Sequence, residues 1–100
     1  MLYLVTTDHF GGPPPPPDQK AGLLETVSAT LEMLTGLLAD GKIVAGGVSA
    51  GQKRHVFIVD AGSNDEATEL VQSLPLWMAH KWEITPLESW AHHLEHTRSM

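Results

Sequence analysis

Two short segments of this chain are apolar on both of their faces, and that constrains its fold more than any other feature. In Leu2-Tyr3-Leu4-Val5 and in Val56-Phe57-Ile58-Val59, successive side chains of an extended strand point to opposite sides, and neither side turns polar. The intervening sequence supplies one long and one short helical pattern. Two helices cover only one face of a sheet. The other face needs its own cover, and the simplest is a second copy of the same sheet.

The remaining elements follow from local signals. Leu2 to Phe10 is a strand, and Gly11 to Asp18 is a loop. Five consecutive prolines, Pro13 to Pro17, cannot donate to a ladder and favour an extended polyproline II form. Between a strand and a helix they read as a stiff spacer rather than a ligand for SH3 or WW modules. Asp18 is suited to cap a helix that runs to about Asp40 and ends at Gly41. Leu23, Val27, Leu31, Leu34 and Leu38 recur at helical spacing and predict its buried stripe. Thr26, Thr30, Met33 and Leu37 border that stripe, Glu25 and Glu32 lie nearly opposite, and Thr30 is the polar residue expected to look inward.

Lys42 to Ala50 is a second strand, whose Gly46-Gly47 pair predicts a bulge or a close backbone approach. Gly51-Gln52 turns into a third strand, Lys53 to Asp60. Ser63 or Asn64 caps a second helix, Asp65 to Ser73, which Pro75 ends. A last strand runs from about Lys81 to Leu87. The order is strand, helix, strand, strand, helix, strand, in one domain over residues 1–88. Residues 89–100 form a polar, His-rich tail with helical character.

Composition excludes several classes. A chain of 100 residues has one core, and such a domain buries roughly 60 to 70% of its unfolded surface. Its apolar runs are shorter than the about 20 residues a bilayer requires, so a soluble domain with no membrane partner is expected. A formal charge of −6 with six Lys and Arg speaks against nucleic acid, because phosphate binding needs clustered cations. No cysteine is present, which removes disulfides, thiolate metal sites and cysteine nucleophiles. A strand that begins at Met1 leaves no room for a signal peptide, so a cytoplasmic location is expected.

The exit from the second helix, Leu74-Pro75-Leu76-Trp77, followed by the alternating Trp82-Glu83-Ile84-Thr85, resembles the muconolactone isomerase family of small dimeric α+β-barrel proteins. The likeness spans Met1 to about Leu87. It implies an α+β, ferredoxin-like βαββαβ fold with an antiparallel sheet, two copies of which close a barrel, and family members also build larger rings. It implies cofactor-free movement of a proton between ring carbons of an unsaturated lactone through a dienolate, in aromatic-compound catabolism. That chemistry needs a base within hydrogen-bond reach, donors for the oxyanion and an anchor for the substrate carboxylate. Where the isomerases carry an inward glutamate on the first helix this chain has Thr30, whose hydroxyl cannot serve as that base. Where they carry a tyrosine early in the third strand it has Lys53, and His55 follows on the same strand face.

His55 is therefore the catalytic candidate, since imidazole titrates near neutrality. Lys53 is suited to hold a carboxylate or an enolate, and Thr30 to add a hydrogen-bond donor. Asp8 and His9 end the first strand, where His9 is placed to reach the pocket mouth. Trp77, at a family aromatic position, forms a pocket wall or staples the helix exit to the sheet. Trp77, Phe57 and Tyr3 offer stacking surface for larger aromatic substrates. Among His80, His92, His93 and His96, only His92 and His96 have helical ligand spacing, and no third ligand is specified, so no metal is expected. Trp90 in the tail is expected to pack on a neighbouring subunit. Three functions stay open: an isomerase on a small lactone or enolisable carbonyl compound; a polyketide cyclase or cofactor-independent monooxygenase of the same fold; and a non-catalytic binding module.

Overall fold

The computed structural model describes residues 1–9, 15–51 and 54–100, and the side chain of His9 lies outside that description. Strand β1 (Leu2–His9) leads to helix α1 (Pro17–Ala39), strands β2 (Ile43–Val48) and β3 (His55–Asp60), helix α2 (Asn64–Gln72), a 3₁₀ turn (Pro75–Ala79), strand β4 (His80–Leu87) and helix α3 (Trp90–Arg98). The strands form one antiparallel sheet in the order β2-β3-β1-β4. This is the βαββαβ ferredoxin-like arrangement expected from the sequence.

Tyr3, Val5, Phe57 and Val59 point to the helix-covered face and form the core with Ile43, Ala67, Val71 and Leu74. Leu4, Val56 and Ile58 point the other way and stay partly exposed, and Leu2 more so. Both faces of the central strands are thus apolar, and the chain's own helices cover one.

Helix α1 begins two residues earlier than its acidic cap signal suggested, with Pro16 rather than Asp18 at the cap position. Pro17 occupies its first position, where a missing N–H costs nothing, and Asp18 sits in the first turn, favourable to the helix dipole. At the other end Gly41 adopts φ 81, its N–H donates to Leu38 O, and the Lys42 N–H donates to Leu37 O. That is a Schellman closure, which requires a left-handed residue where glycine stands.

The buried stripe of α1 differs from the one its leucines predicted. Thr30 is fully buried, and Leu34 and Leu37 pack on the core, whereas Leu23, Leu31 and Leu38 are 38%, 40% and 46% exposed. The helix is rolled by about 50° relative to the leucine stripe, given 100° per residue. In this orientation Thr30 is hydrogen-bonded on both sides. The Thr30 Oγ1 accepts the Leu76 N–H at 3.1 Å and donates to Thr26 O at 2.9 Å. At 23 residues α1 has the length and apolar content of a membrane-crossing helix, contrary to the expectation drawn from short apolar runs. It packs on the core through Thr30, Leu34 and Leu37, and most of its surface stays exposed.

The register of β2 shifts between Ile43 and Ala45, so the bulge lies just ahead of the glycine pair. Close approach is what Gly46 provides. A Cβ there would stand 2.5 Å from Phe57 Cβ, 2.8 Å from Val56 O and 2.9 Å from Phe57 Cα. Because two of those atoms are backbone, Gly46→Ala is expected to displace β2 and cost about 1–3 kcal/mol. Urea unfolding of the variant checks this, and an unchanged midpoint would refute it.

Ser63 caps α2 by accepting the Glu66 N–H. Helix α3 is capped in the same way by Ser89, and every residue from 88 to 100 is exposed, with Trp90 at 93%. His92 and His93 both face Glu88, at 3.7 and 3.5 Å. The first part of the proline run and Lys53 lie outside the described residues.

Candidate functional site

The starts of β3 and β4 bring two histidines together beneath the helices. His55 is 6% exposed and His80 is 7% exposed, and their ring centroids are 6.0 Å apart. Thr7 of β1, itself 2% exposed, lies between them. Its Oγ1 accepts the His55 N–H at 3.0 Å and stands 3.4 Å from His80 Nδ1. The order β3-β1-β4 explains the meeting, because β1 is the shared neighbour of both strands. His9 pairs with His80 across the β1–β4 ladder.

His80 was not among the residues expected at the site. The signal for it was available: His80, Trp82 and Ile84 alternate with Lys81, Glu83 and Thr85, so one face of β4 carries His80 and Trp82 together. The strand begins at His80 rather than Lys81, and that one residue brings the imidazole into the sheet.

An aromatic cluster adjoins the histidines. Trp82 lies 6.4 Å from His80, 6.0 Å from Trp77 and 6.5 Å from Phe57, centroid to centroid. The Trp82 Nε1–H donates to Trp77 O at 3.1 Å, which ties the 3₁₀ turn to β4. Tyr3 is fully buried and its hydroxyl contacts Met1 Sδ at 3.7 Å. The Thr30 hydroxyl is engaged by Thr26 and Leu76. Asp8 pairs with Arg54 at 3.0 Å, and both belong to the open face with Lys81 and Glu83, where they border a depression of about 350 Å³.

His55 also borders a cleft of about 140 Å³ between α1 and the β2 edge, together with Phe57, Leu31, Leu34, Leu38 and Val48. The imidazole therefore has the aromatic cluster and His80 on one side and an apolar cleft on the other. Such a group has the chemistry of a general base or acid acting on a small molecule held against it. Among the described residues, no three His, Asp or Glu side chains come together as metal ligands do.

Comparison with known proteins agrees with this architecture. Solved structures similar to the chain include a muconolactone isomerase, with a TM-score of 0.73 and 19% identity over 89% of this chain and 90% of that one. They also include the 5-chloro-2-hydroxyhydroquinone dehydrochlorinase of Burkholderia phenoliruptrix AC1100, in complex with 2,5-dihydroxybenzoquinone, with a TM-score of 0.64 and 22% identity over 92% of this chain and 98% of that one. At these identities the likeness is one of fold. A search of curated proteins finds no match. The family model for muconolactone delta-isomerase matches residues 1–93, nearly the whole chain, and the chain therefore belongs to the muconolactone delta-isomerase family.

Proposed function

We propose that this protein is a cofactor-free isomerase that moves a proton on a small lactone or enolisable carbonyl compound, with His55 as the base. The observation that carries the reading is the position of His55: a buried imidazole in the lining of an otherwise apolar cleft, with its backbone fixed by Thr7. Burial keeps water from competing for the proton, and an imidazole has one ring nitrogen that accepts a proton and one that donates it. Lys53, two residues upstream, serves as the anchor for substrate carboxylate or enolate. Thr30 contributes by holding Leu76, and hence the turn that carries Trp77, against α1. The family match supports this reaction class. The quinone bound to the dehydrochlorinase supports a second reading, in which the same fold acts on a hydroxylated ring.

We also propose that the open sheet face pairs with a second copy, in a homodimer or a larger ring. Leu2, Leu4, Val56 and Ile58 supply its apolar centre, and Asp8, Arg54, Lys81 and Glu83 its charged end. The decisive experiment is an NMR time course with muconolactone in D₂O. Deuterium entry into the ring together with product formation is the expected result. If no proton exchanges, the isomerase reading is lost and hydroxylated rings are the next substrates to follow.

A further inference from the structure

Helix α1 turns much of its apolar surface outward, and that surface has a period. Leu24, Leu31 and Leu38 are 54%, 40% and 46% exposed. They recur every seven residues, with Ser28 and Thr35 between them. In heptad terms the leucines take d positions and the two hydroxyl residues take a positions, which is the seam of a two-stranded coiled coil. Thr35 donates its hydroxyl proton to Leu31 O at 2.8 Å, so that side chain sits in the seam with its donor satisfied.

The strand beside the seam is open as well. Strand β2 lies at one edge of the sheet, and among the described residues β3 is its partner. Its sequence, Ile43-Val44-Ala45-Gly46-Gly47-Val48, holds neither a charge nor a proline, the residues that guard an edge against pairing. Val44 and Val48 are 52% and 50% exposed.

We infer that the α1 seam packs against the same seam of a second copy, antiparallel across a two-fold axis at the β2 edge, and that this contact closes the cleft beside His55. Symmetry selects the occupant. The seam is centred on Leu31, so a two-fold axis there brings Leu31 onto Leu31 and Leu24 onto Leu38, the self-complementary match of an isologous pair. Antiparallel approach of two β2 edges carries both helices to the same side of the sheet, where the seams meet. A bilayer suits the helix less well. Its charges are Lys20 against Asp18, Glu25 and Glu32, whereas helices that lie on membranes carry a basic polar face. Leu31, Leu38 and Val48 belong both to this surface and to the cleft lining, so the second copy supplies the wall that one chain leaves open. The contact is separate from the open sheet face, and it holds whether or not His55 is the base.

The test is sedimentation equilibrium of the wild type, Leu31→Glu, Leu31→Lys and an equimolar mixture of the two variants, with Met33→Glu as the control. Leu31 and Met33 are 40% and 38% exposed and lie about 160° apart around the helix, so the control carries the same charge change on the other flank. Thermal melts check that each protein is folded. If the Leu31 variants melt early, Leu24→Glu, at a more exposed point of the seam, reads the same contact. The wild type is expected at twice the mass of either Leu31 variant, whatever association the open face adds, because like charges meeting at the axis weaken the contact by about tenfold or more. Mixing the glutamate and lysine variants should restore the wild-type mass, and Met33→Glu should keep it. A soluble gadolinium chelate should broaden the Val48 methyl signals more strongly in Leu31→Glu than in the wild type. Equal masses for the wild type and the Leu31 variants overturn the inference, as does a mixture that stays dissociated or equal broadening of Val48 in both proteins. A wild type that sediments like its variants and floats with phosphatidylcholine vesicles also overturns it, and gives the outer face of α1 to a bilayer.

Discussion

Replacing His55 by glutamine is expected to lower proton-transfer turnover by about 10²–10⁴-fold, the usual contribution of a positioned general base, while the protein stays folded. The structure separates the two effects. The hydrogen bond from residue 55 to Thr7 uses the backbone N–H, which any side chain retains. Glutamine keeps polar volume in a site that is 6% exposed, and so avoids the cavity that alanine would leave. What it removes is the ring nitrogen that can take up the proton. Turnover followed by NMR, beside a thermal melt of the same preparation, reads both quantities. Unchanged turnover in a folded His55→Gln protein would take the base away from β3. The parallel variant His80→Gln keeps His55 and its backbone bond, and is expected to cost less, because His80 is not part of the cleft lining.

Much of the fold was legible in the sequence because its signals were local. Gly41 announced the end of α1 and takes the left-handed conformation that closure needs. Ser63 announced α2 and caps it through the Glu66 N–H. The alternation of Leu2 to Val5 and of Val56 to Val59 announced a sheet with two apolar faces, and the residues do divide in that way. The roll of α1 was not legible, since leucine periodicity gives a stripe but not its contact partner. Thr30 and Leu76 are 46 residues apart in sequence, and the hydrogen bond that joins them turns Thr30 inward in place of Leu31 and Leu38. His55 was legible by residue type and strand position. His80 and Thr7 were not, because their meeting with His55 depends on β1 lying between β3 and β4, a tertiary fact. The offset leucines are what leave apolar surface at the mouth of the cleft, so the same roll that hid the core stripe also shapes the site.

Placing a glutamate at position 30, where the resemblance to the isomerases implies one, is expected to destabilise the protein rather than to supply a base. Thr30 is fully buried, and its Oγ1 lies 3.1 Å from the Leu76 N that it serves. Thr30→Val removes the acceptor alone and leaves that N–H buried without a partner, at about 1–3 kcal/mol. Thr30→Glu loses the same bond and adds further terms. The longer side chain overpacks the contact between α1 and the 3₁₀ turn, at about 1–3 kcal/mol. An ionised carboxylate held there costs several kcal/mol more unless it takes up a proton. In a domain of this size each kcal/mol lowers the melting temperature by roughly 4–8 °C, so the valine variant should melt clearly below wild type and the glutamate variant well below that. Thermal melts of the three proteins rank them. A glutamate variant as stable as wild type would mean that α1 rolls to release residue 30 toward the site, which would return the family's helix base to a working position. The ranking wild type, valine, glutamate would instead mean that Thr30 belongs to the frame of this protein, where its hydroxyl holds the Leu76 N–H and leaves no room for a carboxylate.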